Sequence, residues 1–232
     1  MSRNDSLLAA VFWSGLTIAL YVLGKVLYRR KPRVWTSPLI LPPALLILTA
    51  LSLHVEYREY IGGTGWLVTL LGPATVAFAV PIYEQQRLIR RQWFLLIVAT
   101  LVGSAVAILS SWVLAMLFRF DDSLQRSLLP RSFSMPFALT VSADIGGVPA
   151  LTALFVLITG VTGAAVGELV LCWLPLRSAL ARGALFGIGA HAIGAAKAHQ
   201  VDPEIGPIAG LVMVLVGLFN VLTAPLLASL LR

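Results

Sequence analysis

Apolar positions in this chain come in long blocks separated by short polar junctions, and the block length indicates what the blocks are. The runs 7–28, 93–118, 148–173 and 207–231 each reach the ~20 mainly apolar residues that a helix needs to cross bilayer hydrocarbon. A fifth run, 38–54, fits because Pro38, Pro42 and Pro43 fall in its first turns, where a missing N–H costs little. A sixth, 66–85, is long enough but is interrupted by Pro73 and Pro81. Six full spans are therefore predicted.

Two further segments are apolar enough to enter a bilayer and too polar to face lipid. Residues 124–147 carry Arg126, Arg131, Asp144, several hydroxyls, Pro130 and Pro136, whereas 183–200 is rich in Gly and Ala and carries His191, Lys197 and His199. Non-helical backbone at membrane depth survives only where protein buries it or it lines an aqueous cavity, so both are predicted to be re-entrant or broken helices.

Composition agrees. Of 232 residues 59% are hydrophobic and 12% charged, against about 25% charged in soluble domains, and the mean hydropathy is +0.92. That excludes a soluble enzyme, a disordered tail and a fibrous repeat, and leaves an all-α polytopic integral membrane protein. One cysteine, Cys172, excludes an internal disulfide and reads as a structural thiol.

The net charge of +7 would suit nucleic acid, but its distribution points elsewhere. Lys25, Arg29, Arg30, Lys31 and Arg33 follow the first run, Arg87, Arg90 and Arg91 the third-to-fourth junction, and Arg177 and Arg182 a later one. These are cytoplasmic loops by the positive-inside rule. The junctions with Arg58 against Glu56 and Glu59, and Arg119 and Arg126 against Asp121 and Asp122, are balanced and read as external. Arg3 and Asp5 cancel and no small-x-small cleavage site follows the first run, so 7–28 reads as a retained span with its N-terminus outside. One full span, 148–173, suffices between external position 120 and internal Arg177, which supports re-entry of 124–147. The side of the C-terminus depends on whether 183–200 crosses.

LLGPATVAFAVP (70–81) and LLPRSFSMPFAL (128–139) share a Leu-rich start, a Pro and a hydroxyl two positions on, Thr75 and Ser132. A shift of 57 residues also aligns Gly103 with Gly160 and Ala107 with Ala164. Paired interrupted segments in two halves point to a transporter binding site; a chance match is the competing explanation.

A helix that begins inside the membrane presents free N–H groups and the positive end of its dipole, which suits a carboxylate. Thr75, Ser132 and Ser134 stand near the breaks, either as ligand donors or bonded back to their own backbone. Glu84 is a gate or proton site, or else an interfacial partner of Arg87 or Arg91. Asp144 is a proton acceptor or a helix cap, and Glu168 a snorkelling partner of Arg177. His191, Lys197, His199, Asp202 and Glu204 form the densest polar cluster. His191 and His199 are too far apart along a helix for one ion, so no metal site is expected; Lys197 reads as an anion-binding cation with His191 as its titratable neighbour. Nucleophile elbows, phosphate loops and H-E-x-x-H are missing from the sequence, so neither an enzyme nor a cofactor is expected. Trp13, Trp35, Trp66, Trp93 and Trp173 stand at span ends as an interfacial belt.

Taken in order, LLGPATVAFAVPIYEQ, LLPRSFSMPFAL, IGGVPALTA, and GIGAHAIGAAKAH followed by DPE and a late APL resemble the LrgB/CidB family of bacterial membrane proteins from about residue 60 onward. The resemblance implies an elevator-like transporter core with internal repeats in 61–232 and an N-terminal scaffold or dimerisation part in 1–60. By motif it points to Pro73, Thr75, Pro81, Tyr83 and Glu84; to Ser132, Pro136, Gly146, Gly147 and Pro149; and to His191, Gly194, Lys197 and Glu204. Two departures stand out: Ile205-Gly206-Pro207 follows DPE in place of an acid and Gly-Ala, and Glu168 occupies a place where relatives commonly carry histidine. The family is known for antiholin-like control of murein hydrolases and autolysis beside a small LrgA/CidA-type membrane partner, for pyruvate movement, and for a plastid glycolate/glycerate relative. The expectation is therefore a homodimeric carrier of small monocarboxylates in a bacterial inner membrane. Glu84, Asp144, His191 or Glu204 would couple a proton, and an antiholin-like regulator is the alternative.

Overall fold

The fold is a computed structural model that describes residues 3–31, 38 and 40–230. The predicted junction cation Arg33 and belt residue Trp35 lie outside the described residues. Every regular element among the described residues is helical: α1 (Arg3–Arg30), α2 (Leu41–Ser52), α3 (Tyr57–Thr69), α4 (Leu71–Ala77), α5 (Ala79–Glu84), α6 (Gln86–Leu117), α7 (Asp122–Leu128), a 3₁₀ turn (Leu129–Ser132), α8 (Met135–Asp144), α9 (Pro149–Trp173), α10 (Ala179–Val201) and α11 (Ile205–Leu230). Six stretches are long and apolar enough to cross a membrane: Leu8–Arg30, Tyr57–Glu84, Gln86–Leu117, Pro149–Trp173, Ala179–Val201 and Ile205–Ser229. The chain is thus an all-α, multi-pass membrane protein.

Membership of the six differs from expectation at one place. The run at 38–54 forms only the 12-residue α2, with proline in its first turn as foreseen, about 18 Å long against ~30 Å of hydrocarbon. The interruptions at Pro73 and Pro81 follow from proline chemistry. α3 ends at Thr69 and α4 at Ala77, each four residues before a proline. A proline has no N–H for that carbonyl, and its ring collides with it.

The chain divides into two compact units, Met1–Pro73 and Ala74–Arg232. In the first, small residues let α1 approach its neighbours. A Cβ on Gly63 would lie 2.9 Å from the Ala10 Cα, and one on Gly24 2.8 Å from the Pro42 ring. Ser14 Oγ donates to the Gly63 carbonyl at 3.0 Å. Trp13 is buried and meets Tyr60 edge-on at 5.5 Å. It is therefore a core residue and not part of an interfacial belt, unlike Trp66, Trp93 and Trp173, which are exposed. Because α3 packs on α1 in this way, the first unit extends beyond the expected boundary at residue 60.

In the second unit, the long helices α6, α9 and α11 frame two re-entrant hairpins. The first descends through α7 and the 3₁₀ turn, becomes extended at Phe133 and Ser134, and returns as α8. Its two ends meet. The Val148 N–H donates to Ser127 Oγ at 2.8 Å, and Thr152 Oγ1 lies 3.0 Å from the Ser127 carbonyl and 2.7 Å from Ser142 Oγ. Gly146 takes a positive φ of 78° to make the turn, and Gly147 lies so close to Ser127 that its Cβ would be 3.0 Å from the backbone nitrogen.

The second hairpin is α10. At His191 (φ 41°, ψ −129°) the helix breaks and folds back: Arg182 near its start forms an ion pair with Asp202 just past its end at 3.1 Å. A Cβ on Gly194 would overlap the Phe186 carbonyl of the opposite arm. Residues 183–200 therefore do not cross. α9 and α11 flank a hairpin that returns to the level at which it entered, so α11 runs away from the C-terminal end of α9, beyond which Arg177 lies.

Candidate functional site

The two hairpins reach α9 from opposite ends. The base of the first is fastened at Thr152 near the start of α9, whereas the arms of the second lie along its far half, with Phe186 beside Gly167 and Lys197 paired to Glu168 at 2.8 Å. Their tips meet near the middle of α9. There Arg131 Nη1 donates to Thr159 Oγ1 at 3.4 Å, and His191 Nε2 donates to the Val156 carbonyl at 3.0 Å. Gly103 and Gly160, matched by the shift of 57 residues, both lie against α10. A Cβ on Gly103 of α6 would come 2.8 Å from the Ile188 side chain, and one on Gly160 of α9 2.5 Å from the His191 ring. Ala107 and Ala164, one turn further on, are both buried.

Beside the tips lies a cavity of about 700 Å³ whose walls include α6 from Leu95 to Ser110, Arg131 and Ser132 of the first hairpin, Thr159, and the first arm of α10. The walls are mostly aliphatic. Ser110, Arg131, Ser132 and Thr159 supply a polar end, and Arg131 is the only charged residue lining it among the described residues. The guanidinium is held by hydroxyls alone: Nε donates to Ser111 Oγ at 2.9 Å, Nη2 to Ser110 Oγ at 3.2 Å, and Nη1 to Thr159 as above. The ion pairs found among the described residues, Arg182–Asp202 and Lys197–Glu168, do not involve it.

Of the residues singled out from sequence, Ser132 lines the cavity. Ser134, the first residue before α8, is buried and its hydroxyl has no partner among the described residues, while Pro136 starts α8. His191 forms the second tip. Gly146, Gly147 and Gly194 shape the hairpins and do not line the cavity. Neither do Pro73, an exposed residue, and Thr75, which is half-buried and has a partner.

Other assignments change. Lys197 is neutralised by Glu168, so the expected Glu168–Arg177 pair gives way to one with the returning arm of α10. Asp144 is the exposed last residue of α8, and the start of α9 is served by Ser127 instead, so Asp144 is not its cap. Glu84 is exposed at the end of α5 and makes no ion pair with Arg87 or Arg91. Glu204 is exposed, its own N–H donating to Asp202 Oδ1 at 2.9 Å. Among the four coupling candidates only His191 is buried.

Sequence reasoning passed over Arg131, Ser110, Ser111 and Thr159 as a cluster. It also passed over Asn220, whose Nδ2 donates to Ser104 Oγ at 2.9 Å in the core and whose Oδ1 is unpartnered among the described residues. A lone amide in the most apolar span was the available signal for the latter.

The chain as a whole is similar to known proteins. The model of the LrgB-like family matches residues 17–230. The Bacillus subtilis protein YwbG is 38% identical over 214 residues, covering 92% of this chain and 95% of its own. A Haemophilus influenzae protein is 35% identical over 183 residues, 78% of this chain and 79% of its own. Holin-like protein CidB of Staphylococcus epidermidis is 28% identical over 220 residues, 95% of this chain and 96% of its own. No solved structure matches significantly.

Proposed function

Since the chain belongs to the LrgB-like family, we propose that it carries small organic anions across a bacterial inner membrane, monocarboxylates of the 2-oxo or 2-hydroxy acid kind such as pyruvate and glycolate. One observation carries this reading: two re-entrant hairpins bring their non-helical tips together beside one cavity at the middle of α9. Broken backbone at that depth is tolerated where it lines a site, and it leaves helix ends free to receive a ligand. Arg131 and Ser132, in the 3₁₀ turn just before the extended Phe133–Ser134 step, line that cavity.

The basic start of α6 and the basic junction between α9 and α10 face the cytoplasm in this scheme, and α11 ends outside. An anion moving inward against the membrane potential costs about 2.3 kcal/mol per 100 mV, a penalty that one accompanying proton removes. His191, buried at the tip, is the better placed coupling group; Glu84, Asp144 and Glu204 lie exposed at element ends. Elevator-like movement and homodimerisation follow from the family resemblance. No covalent step, cofactor or metal enters the scheme.

Uptake of labelled pyruvate and glycolate into proteoliposomes, with and without an inward proton gradient, tests it. Uptake stimulated by the gradient is expected; none by correctly inserted protein overturns the proposal.

The names of the staphylococcal relatives favour a second reading: a holin-like or antiholin-like regulator of murein hydrolase activity and autolysis, acting with a small LrgA/CidA-type membrane protein. It expects lysis phenotypes to survive Ser132→Ala, a change that should cripple a carrier.

A further inference from the structure

We propose that Arg131 is the residue that receives the anionic group in this cavity, and that its solitary charge selects ligands bearing one carboxylate over those bearing two. This deepens the carrier reading and rests on it.

A guanidinium has five N–H donors in a fixed planar fork. Three are taken by Ser111, Ser110 and Thr159, leaving one on Nη1 and one on Nη2. Each Nη nitrogen thus keeps one donor, and arginine can grip a carboxylate through one hydrogen on each. Hydroxyls orient a cation without cancelling it, and a desolvated charge without a counter-charge is costly. Both ion pairs among the described residues exclude Arg131, and no acid lines the cavity. The fork is fixed from two helices, Ser110 and Ser111 on α6 and Thr159 on α9, so it is pre-organised at the hairpin tip. Ser132 stands next to it on the cavity wall, where its hydroxyl can read an oxo or hydroxy oxygen. The remaining walls, among them Val102, Val106, Ala184 and Ile188, are aliphatic apart from Ser178, and a second carboxylate would meet no cation there.

The experiment uses the full chain in detergent and in proteoliposomes, with labelled pyruvate as probe and propionate or malonate as competitors. Binding in detergent is read separately from uptake. R131Q is expected to weaken pyruvate binding by about 30-fold or more, while R131K, which keeps the charge but not the fork, retains part of it. Malonate is expected to compete at least about tenfold less well than propionate. R131Q protein that is monodisperse and binds pyruvate like wild type overturns the inference and leaves the carrier reading intact. Loss of uptake by wild type with binding preserved overturns the carrier reading and leaves the inference. If R131Q does not fold, R131K and the malonate comparison decide, and equal competition by malonate and propionate overturns the proposal. Native mass spectra in which a phospholipid is retained by wild type and lost from R131K, with no pyruvate binding to either, also overturn it in favour of a lipid phosphate.

Discussion

The two hairpins solve one problem with different chemistry. The first is closed by hydroxyls: Ser127, Ser142 and Thr152 join its ends, and Ser110, Ser111 and Thr159 hold the charge near its tip. The second is closed mainly by the absence of side chains, with the Arg182–Asp202 ion pair across its base. Gly194 sits against Phe186, Gly187 against Ala209, and Gly206 against His199, so backbones touch where a Cβ cannot fit. In a bilayer, apolar burial gives helices little reason to associate, because lipid tails are as apolar as leucine; close packing of small residues and interhelical hydrogen bonds remain. The chain weights the two devices differently in its two hairpins, although Gly147 is closely apposed to Ser127 in the first as well. The difference teaches where chemistry can reside: the hydroxyl-rich hairpin brings polar groups to the cavity, and the glycine-rich one gives it shape.

The largest effect expected from breaking this division is at the second hairpin. Gly194→Leu forces a branched side chain into the Phe186 carbonyl, which neither arm can yield to without separating from the other or from α11. A loss of about 3 kcal/mol or more is expected, at or above the upper end of overpacking costs, read as a collapse of monodisperse protein in detergent. A variant that melts like wild type would show that the arms are not closely apposed. A smaller effect is expected at the first hairpin. Thr152→Val keeps shape and removes the hydroxyl between the Ser127 carbonyl and Ser142 Oγ, leaving buried polar atoms short of a partner, which costs about 1–3 kcal/mol. Thermal melting of the two variants side by side ranks the devices; a larger loss for Thr152→Val would reverse the assignment.

Much of this frame is legible in sequence because it follows from what backbone tolerates. Pro73 and Pro81 place their interruptions by the four-residue reach of a helical hydrogen bond, and polar composition alone marks 124–147 and 183–200 as unable to face lipid. What sequence does not give is phase across a break. Arg131 sits in a 3₁₀ turn that is followed by an extended step, so no α-helical period relates it to Ser111 or Thr159, and it reads as one polar residue among several. The same limit explains Trp13, whose position near a span end does not disclose that Tyr60 covers it, and Lys197, whose partner lies on another helix. His191 was legible as an unusual residue in a Gly/Ala stretch but not as the turning point, because its positive φ is a conformation for which sequence would suggest glycine.

Lys197 therefore offers the finest test of the division. It lies on the returning arm of α10, is 29% exposed, and is paired with Glu168, which is 52% exposed. Pairs this open are screened and contribute little, so a double-mutant cycle of K197M and E168Q should give a coupling of about 0.5 kcal/mol or less, shrinking as salt is raised. In the same preparations K197M should bind pyruvate as wild type does, because Lys197 does not line the cavity and the cavity charge belongs to Arg131. If K197M instead abolishes binding while melting normally, the second hairpin contributes charge as well as shape. The separation of chemistry from packing would then fail at the place where the two hairpins differ most, since a Gly-closed arm would be delivering a cation to the ligand without any hydroxyl to hold it.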